Sequence, residues 1–320
     1  MTEGKMAVEI AESFLNEEVT SLEPILGKGS VNTIYIARTK STEIVVRMNS
    51  DSRSFKDYQK ERWCIEQASA KGIPSPTVLT MGQRGEVAYM IQTFIAGEHG
   101  EDSDLDRNGL WRKLGEYAKS IHSINTNGFG EVLTDPDNGT FQAPLHDNFD
   151  GTWSGFVKYN IESLTEDDKL IQLGVMTKSE SNQIKLLFEN IQGRKFKFGL
   201  NHGDISLKNT IISNDGTVNL IDWGSAEVNI IPQGDLLQLL QCQIESDHPN
   251  TIELHAFLEG YGITQSDFNN MQQDLNELLL LRAFDKLRWA IDCHPPSIPD
   301  FIDYAKKVKA RALNFAPLLE

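Results

Sequence analysis

The chain has 320 residues, 39% hydrophobic and 24% charged, enough to bury one large core or two lobes. Its 30 Lys and Arg against 46 Asp and Glu leave a formal net charge of −16, which argues against a nucleic-acid partner and would draw in a cationic one. No apolar run is long enough to span a bilayer, MTEGKMAVEIAESF lacks a signal peptide's apolar centre, and Cys64, Cys242 and Cys293 are scattered, so a reduced, cytoplasmic protein without a membrane partner is expected.

Residues 6–15 have helical spacing. The stretch LGKGSVNTIYIARTKSTEIVVRMNS then reads as strand, Gly-rich turn, strand, loop and strand, its β-branched content coming from Ile34, Ile36, Ile44, Val45 and Val46. In the turn, Gly29 and Ser30 can bring backbone N–H groups close to phosphate oxygens, although two glycines between strands also make a plain hairpin turn. Ser54 can cap a helix through FKDYQKERWCIEQASA, which Gly72 and Pro74 terminate.

Arg47 lies on the strand face that carries Val45. Glu61 falls on the inward stripe of the following helix with Tyr58, Ile65 and Ala68. A carboxylate on that stripe needs a cation, and Arg47 on the adjacent strand can supply one. Held in this way, Arg47 can clamp nucleotide phosphates; a structural bridge or two snorkelling surface charges are the alternatives. Strands follow at 77–81 and 87–94. The second, in YMIQTFIAGE, brings Gln92 and Phe94 to a hinge where a free strand edge can pair with adenine or guanine. A small sheet-and-helix lobe, residues 1–94, ends there.

Residues 95–320 form the second, mostly helical lobe. LWRKLGEYAKSIHSI has Leu110, Leu114, Tyr117 or Ala118, Ile121 and Ile124 at helical spacing. Residues 125–155, rich in Gly, Asn and Asp, read as a loop or insertion. Further helices are read in TKSESNQIKLLFENI, QGDLLQLLQCQI, TIELHAFLEGY, SDFNNMQQDLNELLLLRAFDKLRWAI and IPDFIDYAKKVKARALNFAPLL. The cleft between the lobes is the default binding site.

Within the helical lobe lies LNHGDISLKNTIISNDGTVNLIDWGSAE, two short strands around Asn214-Asp215-Gly216. With Asp215-Gly216 as a two-residue turn, Asn209 falls directly opposite Asp222. Opposed side chains have Cβ atoms roughly 4.5–5.5 Å apart, so an amide oxygen and a carboxylate converge as a hard cation such as Mg²⁺ prefers. A three-residue turn would shift this register by one. Asp204, five residues before Asn209, adds a carboxylate in the polar loop Asn201-His202-Gly203.

The order of Gly-rich loop, strand cation, helix Glu, hinge, polar loop and metal Asp is that of the protein-kinase fold. HGDISLKN resembles the His-Gly-Asp-x-x-x-x-Asn loop of aminoglycoside phosphotransferases and choline-kinase-like relatives, and LIDWGSA resembles their Ile-Asp-Trp segment. GSVNTIYIA, VVRMN, GIPSPTVL, LGEYAKSIHSI, GFGEV and GDLLQLL are also family-like, so the resemblance spans nearly the whole chain. VVRMNSDSRSFKD and FVKYNIESLTEDD are similar to segments of hygromycin-type kinases.

The resemblance implies a two-lobed α+β fold, with a small antiparallel-sheet N-lobe and a large helical C-lobe. It also implies γ-phosphate transfer from ATP or GTP to a hydroxyl of an aminoglycoside-type antibiotic. Asp204 is then the base that orients the hydroxyl and takes its proton. Asn209 and Asp222 hold Mg²⁺; Gly29, Ser30, Arg47, Glu61, Gln92 and Phe94 serve the nucleotide. Ser206 or Lys208 can touch the transferred group. His202 is expected to be a structural hydrogen-bonding residue, Trp223 packing, and Asp235 a cap or loop anchor. Arg47 departs from the Lys of typical protein kinases, which leaves the nucleotide pose open. The Arg before the catalytic Asp and an activation segment are missing, which favours a small-molecule acceptor. Carboxylates for a cationic acceptor are Glu98, Glu101, Asp102, Asp104, Asp106, Asp285 and Asp292. The rivals are a metabolic kinase of choline, homoserine, a methylthio-sugar or a macrolide, and a pseudokinase that binds without turnover.

Overall fold

The computed structural model describes residues 2–25, 32–147 and 149–318. The chain forms two compact units, Met1–Asp104 with Leu207–Ala226, and Leu105–Ser206 with Glu227–Glu320. Each has its own reason to hold together.

In the first unit, α1 (Glu3–Leu15) leads into β1 (Ser21–Ile25), β2 (Thr33–Arg38) and β3 (Glu43–Asn49). After α2 (Ser54–Ala70) come β4 (Val78–Arg84), β5 (Val87–Thr93) and β6 (Gly97–His99). The strands β1-β2-β3-β5-β4 make one antiparallel sheet. Pro24 is accommodated because β1 lies at the edge, where one side of the strand needs no donor. Period-2 alternation divides β3: Ile44, Val46 and Met48 join Ala7, Ile10 and Ala11 of α1 in one core, leaving Arg47 on the opposite face. That face meets α2 through a second core of Tyr58, Ala88 and Met90. Ser54 does not cap α2. It lies inside the first turn, and Asp51 orders the entry instead by accepting the Arg53 N–H at 2.8 Å. The N–H groups that a cap at Ser54 would serve, those of Lys56 and Asp57, are taken by the Arg53 carbonyl at 2.9 and 3.1 Å.

The second unit begins with α3 (Arg107–His122), capped by Asp106, which accepts the N–H groups of Asn108 and Gly109 at 3.1 and 3.0 Å. The stretch read as a loop at 125–155 contains a small sheet of β7 (Asn127–Phe129), β8 (Val132–Asp135) and β9 (Thr140–Gln142) in the order β7-β9-β8. Strands this short carry too few alternating residues to stand out among Gly and Asn. Then follow α4 (Trp153–Glu162), α5 (Lys169–Gln172), α6 (Lys178–Gly193) and β10 (Phe198–Asn201). The chain next contributes β11 (Thr210–Ser213) and β12 (Val218–Leu220) to the first unit, in a sheet ordered β12-β11-β6. It returns to the second with β13 (Glu227–Ile230), which pairs with β10, and ends in α7 (Gln233–Ser246), α8 (Thr251–Tyr261), α9 (Gln265–Cys293) and α10 (Ile298–Asn314).

The contact between α3 and α8 is backbone on backbone. A Cβ on Gly115 would lie 2.1 Å from the Phe257 carbonyl oxygen, and one on Gly260 would lie 1.9 Å from that of Arg112. This approach places His122, at the end of α3, against Tyr261 of α8, its Nδ1 and the tyrosine hydroxyl 2.8 Å apart. Alanine in a free helix is favoured over glycine by about 1 kcal/mol, whereas overpacking costs about 1–3 kcal/mol. Gly115→Ala is therefore expected to lower stability in a denaturant titration, the opposite of the propensity effect.

Candidate active site

The first unit assembles a cation between two carboxylates. Arg47 Nη1 donates to Glu61 Oε2 at 2.5 Å and Nη2 to Oε1 at 3.2 Å, while Nη2 lies 4.0 Å from Asp222 Oδ1. The bidentate fork fixes the guanidinium plane, which also sits 5.7 Å from the Tyr58 ring centroid. Burial would lower the pKa of Arg47, but Glu61, Tyr58 and Asp222 outweigh it and hold it above the ordinary arginine value. The Arg47 side chain is 9% exposed and its Nε is buried with no hydrogen-bond partner, so the fork leaves unused donor capacity. Asp222, by contrast, is 50% exposed.

The hairpin register differs from the two-residue-turn expectation. Thr210 pairs with Leu220, Ile211 with Asn219 and Ile212 with Val218, so Asn209 lies opposite Ile221, whose N–H it accepts at 2.9 Å. The turn has three residues. Asp215 accepts both the Thr217 N–H (3.0 Å) and the Ser213 hydroxyl (2.8 Å), and Gly216 takes the left-handed φ of +82°. This is the loop in which a left-handed glycine closes a type I turn. Asp222 is one residue past the paired position, at φ 61° and ψ 66°. A left-handed non-glycine is costly and persists where its surroundings overdetermine it. Here the backbone is pinned by Lys60, whose Nζ donates to the Gly224 carbonyl at 2.6 Å. A Cβ on Gly224 would lie 3.4 Å from Asp222 Oδ1 and 3.5 Å from Glu61 Oε1, ordinary contact distances that place this turn directly beside both carboxylates.

In the second unit, Asp204 follows β10 on a loop held from beneath by Asp235 of α7. Asp235 is fully buried and does not cap its helix; its carboxylate accepts the Gly203 N–H at 2.9 Å and the His202 N–H at 3.4 Å, and meets His122 Nε2 at 3.0 Å. Burial alone would raise its pKa. The hydrogen bond and charge of His122, with the Gly203 N–H, outweigh burial and hold it below the usual carboxylate range. His202 is fully buried and its Nδ1 accepts the Asp204 N–H at 3.4 Å, so it is a structural hydrogen-bonding residue. Gln238 Nε2 donates to Asp204 Oδ1 at 3.4 Å. The Ser206 hydroxyl is buried without a partner, Lys208 is exposed and Trp223 is fully buried.

Other expected residues fall as follows. Gly29 and Ser30 lie outside the described residues. Gln92 is buried within β5, an interior strand paired on both sides through Thr93, so a free edge begins only at Phe94. The Phe94 ring lies 6.0 Å from the Arg38 guanidinium. Of the acidic candidates, Asp106 is a helix cap and Asp292 pairs with Lys169 at 2.8 Å. Glu98, Glu101, Asp102 and Asp104 are exposed. Asp285 accepts from Asn160 Nδ2 at 3.1 Å, and burial raises its pKa. Lys60, Gln238 and Tyr261 escaped the sequence reading, because a lysine on a helix normally snorkels to water and a Gln or Tyr on a helix carries no motif.

Asn209 and Asp222 supply oxygen donors, and among the described residues there is no group of three His, Cys, Asp or Glu that could cage a metal. Two protein oxygens with phosphate and water completing the shell is the pattern that suits Mg²⁺.

Two measurements test these assemblies. Glu61→Ala leaves a buried guanidinium unpaired and is expected to cost about 3–5 kcal/mol. The double variant R47M/E61L should recover most of that stability while losing nucleotide affinity in calorimetry; retained affinity would make the pair only a structural bridge. Asp235→Asn should lower the Tm at pH 7. Because the folded carboxyl titrates below the unfolded one, its stabilisation is present above the unfolded pKa of about 3.9 and disappears as pH falls through the folded value. The Tm gap to wild type should therefore narrow in acid.

No curated protein is similar to the chain by sequence. Among solved structures, the ternary complex of a thermostable mutant of aminoglycoside phosphotransferase APH(4)-Ia with ADP and hygromycin B superposes with a TM-score of 0.67 at 17% identity, covering 97% of this chain and 98% of that one. The GDP complex of an aminoglycoside 2'-phosphotransferase-IIIa mutant gives 0.70 at 15%, covering 98% and 100%. A putative fructosamine-3-kinase from Haemophilus somnus 129PT gives 0.58 at 11%, covering 96% of each chain. The N-terminal five-stranded antiparallel sheet and helical C-terminal region are thus the α+β, kinase-like fold of these enzymes. The phosphotransferase enzyme family model matches residues 21–266, most of the chain, and the chain belongs to that family.

Proposed function

We propose that the protein transfers the γ-phosphoryl group of ATP or GTP to a hydroxyl of a small sugar-like acceptor. The observation that carries this reading is the separate preorganisation of the groups such a transfer needs. Asp204 stands on a loop whose backbone is bound by a buried carboxylate, and Arg47 is held beside Asp222 by Glu61. Phosphoryl transfer asks for alignment and charge neutralisation more than for covalent help.

In the proposed reaction the acceptor oxygen forms a bond to the γ-phosphorus while the bond from that phosphorus to the bridging oxygen breaks, releasing the nucleoside diphosphate. Asp204 orients the acceptor hydroxyl and takes its proton as the new bond forms, with Gln238 fixing the carboxylate's rotation. Arg47 neutralises phosphate oxygens, and the Glu61 fork prevents it from swinging away. Asn209 and Asp222 would hold Mg²⁺, which supplies neutralisation of the charge that builds on the phosphates.

Two acceptor classes have specific support. The hygromycin B complex of a fold neighbour supports an aminoglycoside-type antibiotic. The fructosamine-3-kinase neighbour supports a metabolic hydroxyl compound, as does the engagement of Asp106 and Asp292 in capping and pairing. The ADP and GDP complexes of fold neighbours, each the product of a donor triphosphate, keep both ATP and GTP open as donors. Three free thiols, and no helix among the described residues long and apolar enough to cross a membrane, support a cytoplasmic setting.

The test is Mg²⁺-dependent release of ADP or GDP across a panel of aminoglycosides and small metabolic alcohols. Asp204→Asn is expected to reduce acceptor-dependent release by about 10²–10⁴-fold without loss of nucleotide binding. Nucleotide binding with no turnover above that variant for any acceptor would leave a pseudokinase. Asn209→Ala and Asp222→Asn should each raise the Mg²⁺ concentration needed for half-maximal rate.

A further inference from the structure

Arg282 and Lys286 occupy consecutive turns of α9 and, among the described residues, neither makes an ion pair or a hydrogen bond. Other half-buried and buried cations of the same unit are met: Arg288 by Asp168, Arg112 by Glu259, Arg194 by Glu277, Lys309 by Glu180 and Arg311 by the Pro317 carbonyl. In a chain with 46 carboxylates, two adjacent cations without one call for a reason. The Lys286 ammonium lies 5.7 Å from the ring centroid of Phe301 on α10, and burial, then Arg282, lower its pKa. The nearest carboxylates are engaged elsewhere. Beside Lys286, Glu227 accepts from Asn229 Nδ2 at 2.8 Å and Glu245 from Gln241 Nε2 at 3.0 Å; within electrostatic reach of Arg282, Asp285 accepts from Asn160 Nδ2 at 3.1 Å.

Two neutral groups beside them are also unsatisfied. Tyr304, one turn after Phe301, is 3% exposed and its hydroxyl is buried without a partner. Gln238 is 6% exposed, and its Oε1 is likewise buried without a partner. Such groups normally find partners, because leaving one unmet costs about 1–3 kcal/mol. They lie on a continuous trail. Gln238 Nε2 touches both Asp204 Oδ1 and Cys242 Sγ at 3.4 Å, and the Cys242 thiol is within electrostatic reach of Lys286 and Tyr304. Gln238 and Cys242, one helical turn apart on α7, thus stand between the cations and the Asp204 carboxylate.

We propose that Arg282, Lys286 and the Tyr304 hydroxyl bind an anionic group, a carboxylate or a phosphate, carried by the acceptor whose hydroxyl meets Asp204. This rests on the kinase reading above and makes the acceptor an acid-bearing hydroxyl compound rather than a polyamine. Two cations and a hydroxyl donor match the oxygens of such a group, and repel an ammonium. The unmatched charge is kept because the ligand supplies its partner.

The experiment uses the full chain without nucleotide, so it stands apart from whether turnover occurs. Thermal unfolding is followed in sodium phosphate, in sodium acetate and in sodium chloride at equal ionic strength. Wild type is expected to show a saturable rise in Tm with phosphate or acetate that chloride does not give. A response to acetate alone identifies a carboxylate site, and one to phosphate alone a phosphate site. Lys286→Met and Arg282→Gln should abolish the rise, and K286M should be at least as stable as wild type in chloride, since it removes an unmatched cation. Equal Tm values in the three salts, or a rise that persists in both variants, would overturn the proposal; the latter places the anion elsewhere, for example at Arg47. Where turnover is found, R282Q and K286M should raise KM for acid-bearing acceptors by at least about tenfold with kcat nearly unchanged, the pattern of lost uniform binding. An unchanged KM would equally overturn it.

Discussion

A single buried carboxylate organises the chemistry of the helical unit. Asp235 has no exposed surface, and its charge is affordable only because His122 and two loop N–H groups meet it. Each partner constrains something else. His122 is fixed by Tyr261, and both depend on the glycine contact that lets α3 and α8 approach backbone to backbone. The two N–H groups belong to His202 and Gly203, the residues immediately before Asp204. The packing of two helices is thereby transmitted, through one carboxylate, to the position of the proposed base. Nothing softer than a fully satisfied polar network would hold a loop so closely, and a partly satisfied one would be worse than an apolar core.

The sheet unit solves a related problem with the opposite sign. Arg47 is a buried cation whose partner, Glu61, comes from the helix packed on the same sheet face. The fork is built from two regular elements, so its geometry does not depend on a loop. Asp222 is different: its backbone is left-handed and its side chain half exposed, and Lys60 restrains the turn that follows by holding Gly224. Rigid charge placement beside a strained, accessible carboxylate is what a site that must receive a highly charged ligand requires.

Polar groups left without partners carry as much information as those that are paired. Arg47 Nε, the Ser206 hydroxyl, Gln238 Oε1 and the Tyr304 hydroxyl are buried and unmet. In the same unit as the last three, surface cations such as Lys169 and Arg112 have found carboxylates. The contrast separates a scaffold that has settled its own electrostatics from surfaces that have not.

The sequence by itself determined the residues whose chemistry admits few substitutes and whose spacing is local. Asp204, Asn209 and Asp222 stand in one short stretch, and the inward phase of Glu61 and Arg47 follows from periods of 3.6 and 2 counted over a few residues. Their meeting at 2.5 Å was legible for that reason. Local counting failed where a side chain chose between two nearly equal geometries. The Asp215 carboxylate capping Thr217 turned a two-residue turn into a three-residue one, and moved Asn209 from Asp222 to Ile221. It failed too for β7, β8 and β9, too short to show a period, and for the Ser54 cap, whose N–H targets go to the Arg53 carbonyl. Only the tertiary structure decided that Lys60 turns inward, that Gln238 reaches Asp204, and that Arg282 and Lys286 stand without carboxylates. Those facts depend on which elements pack together, across 34 residues of chain for Gln238 and Asp204 and 164 for Lys60 and Gly224, and burial is a property of the packed partners rather than of the residue that is buried.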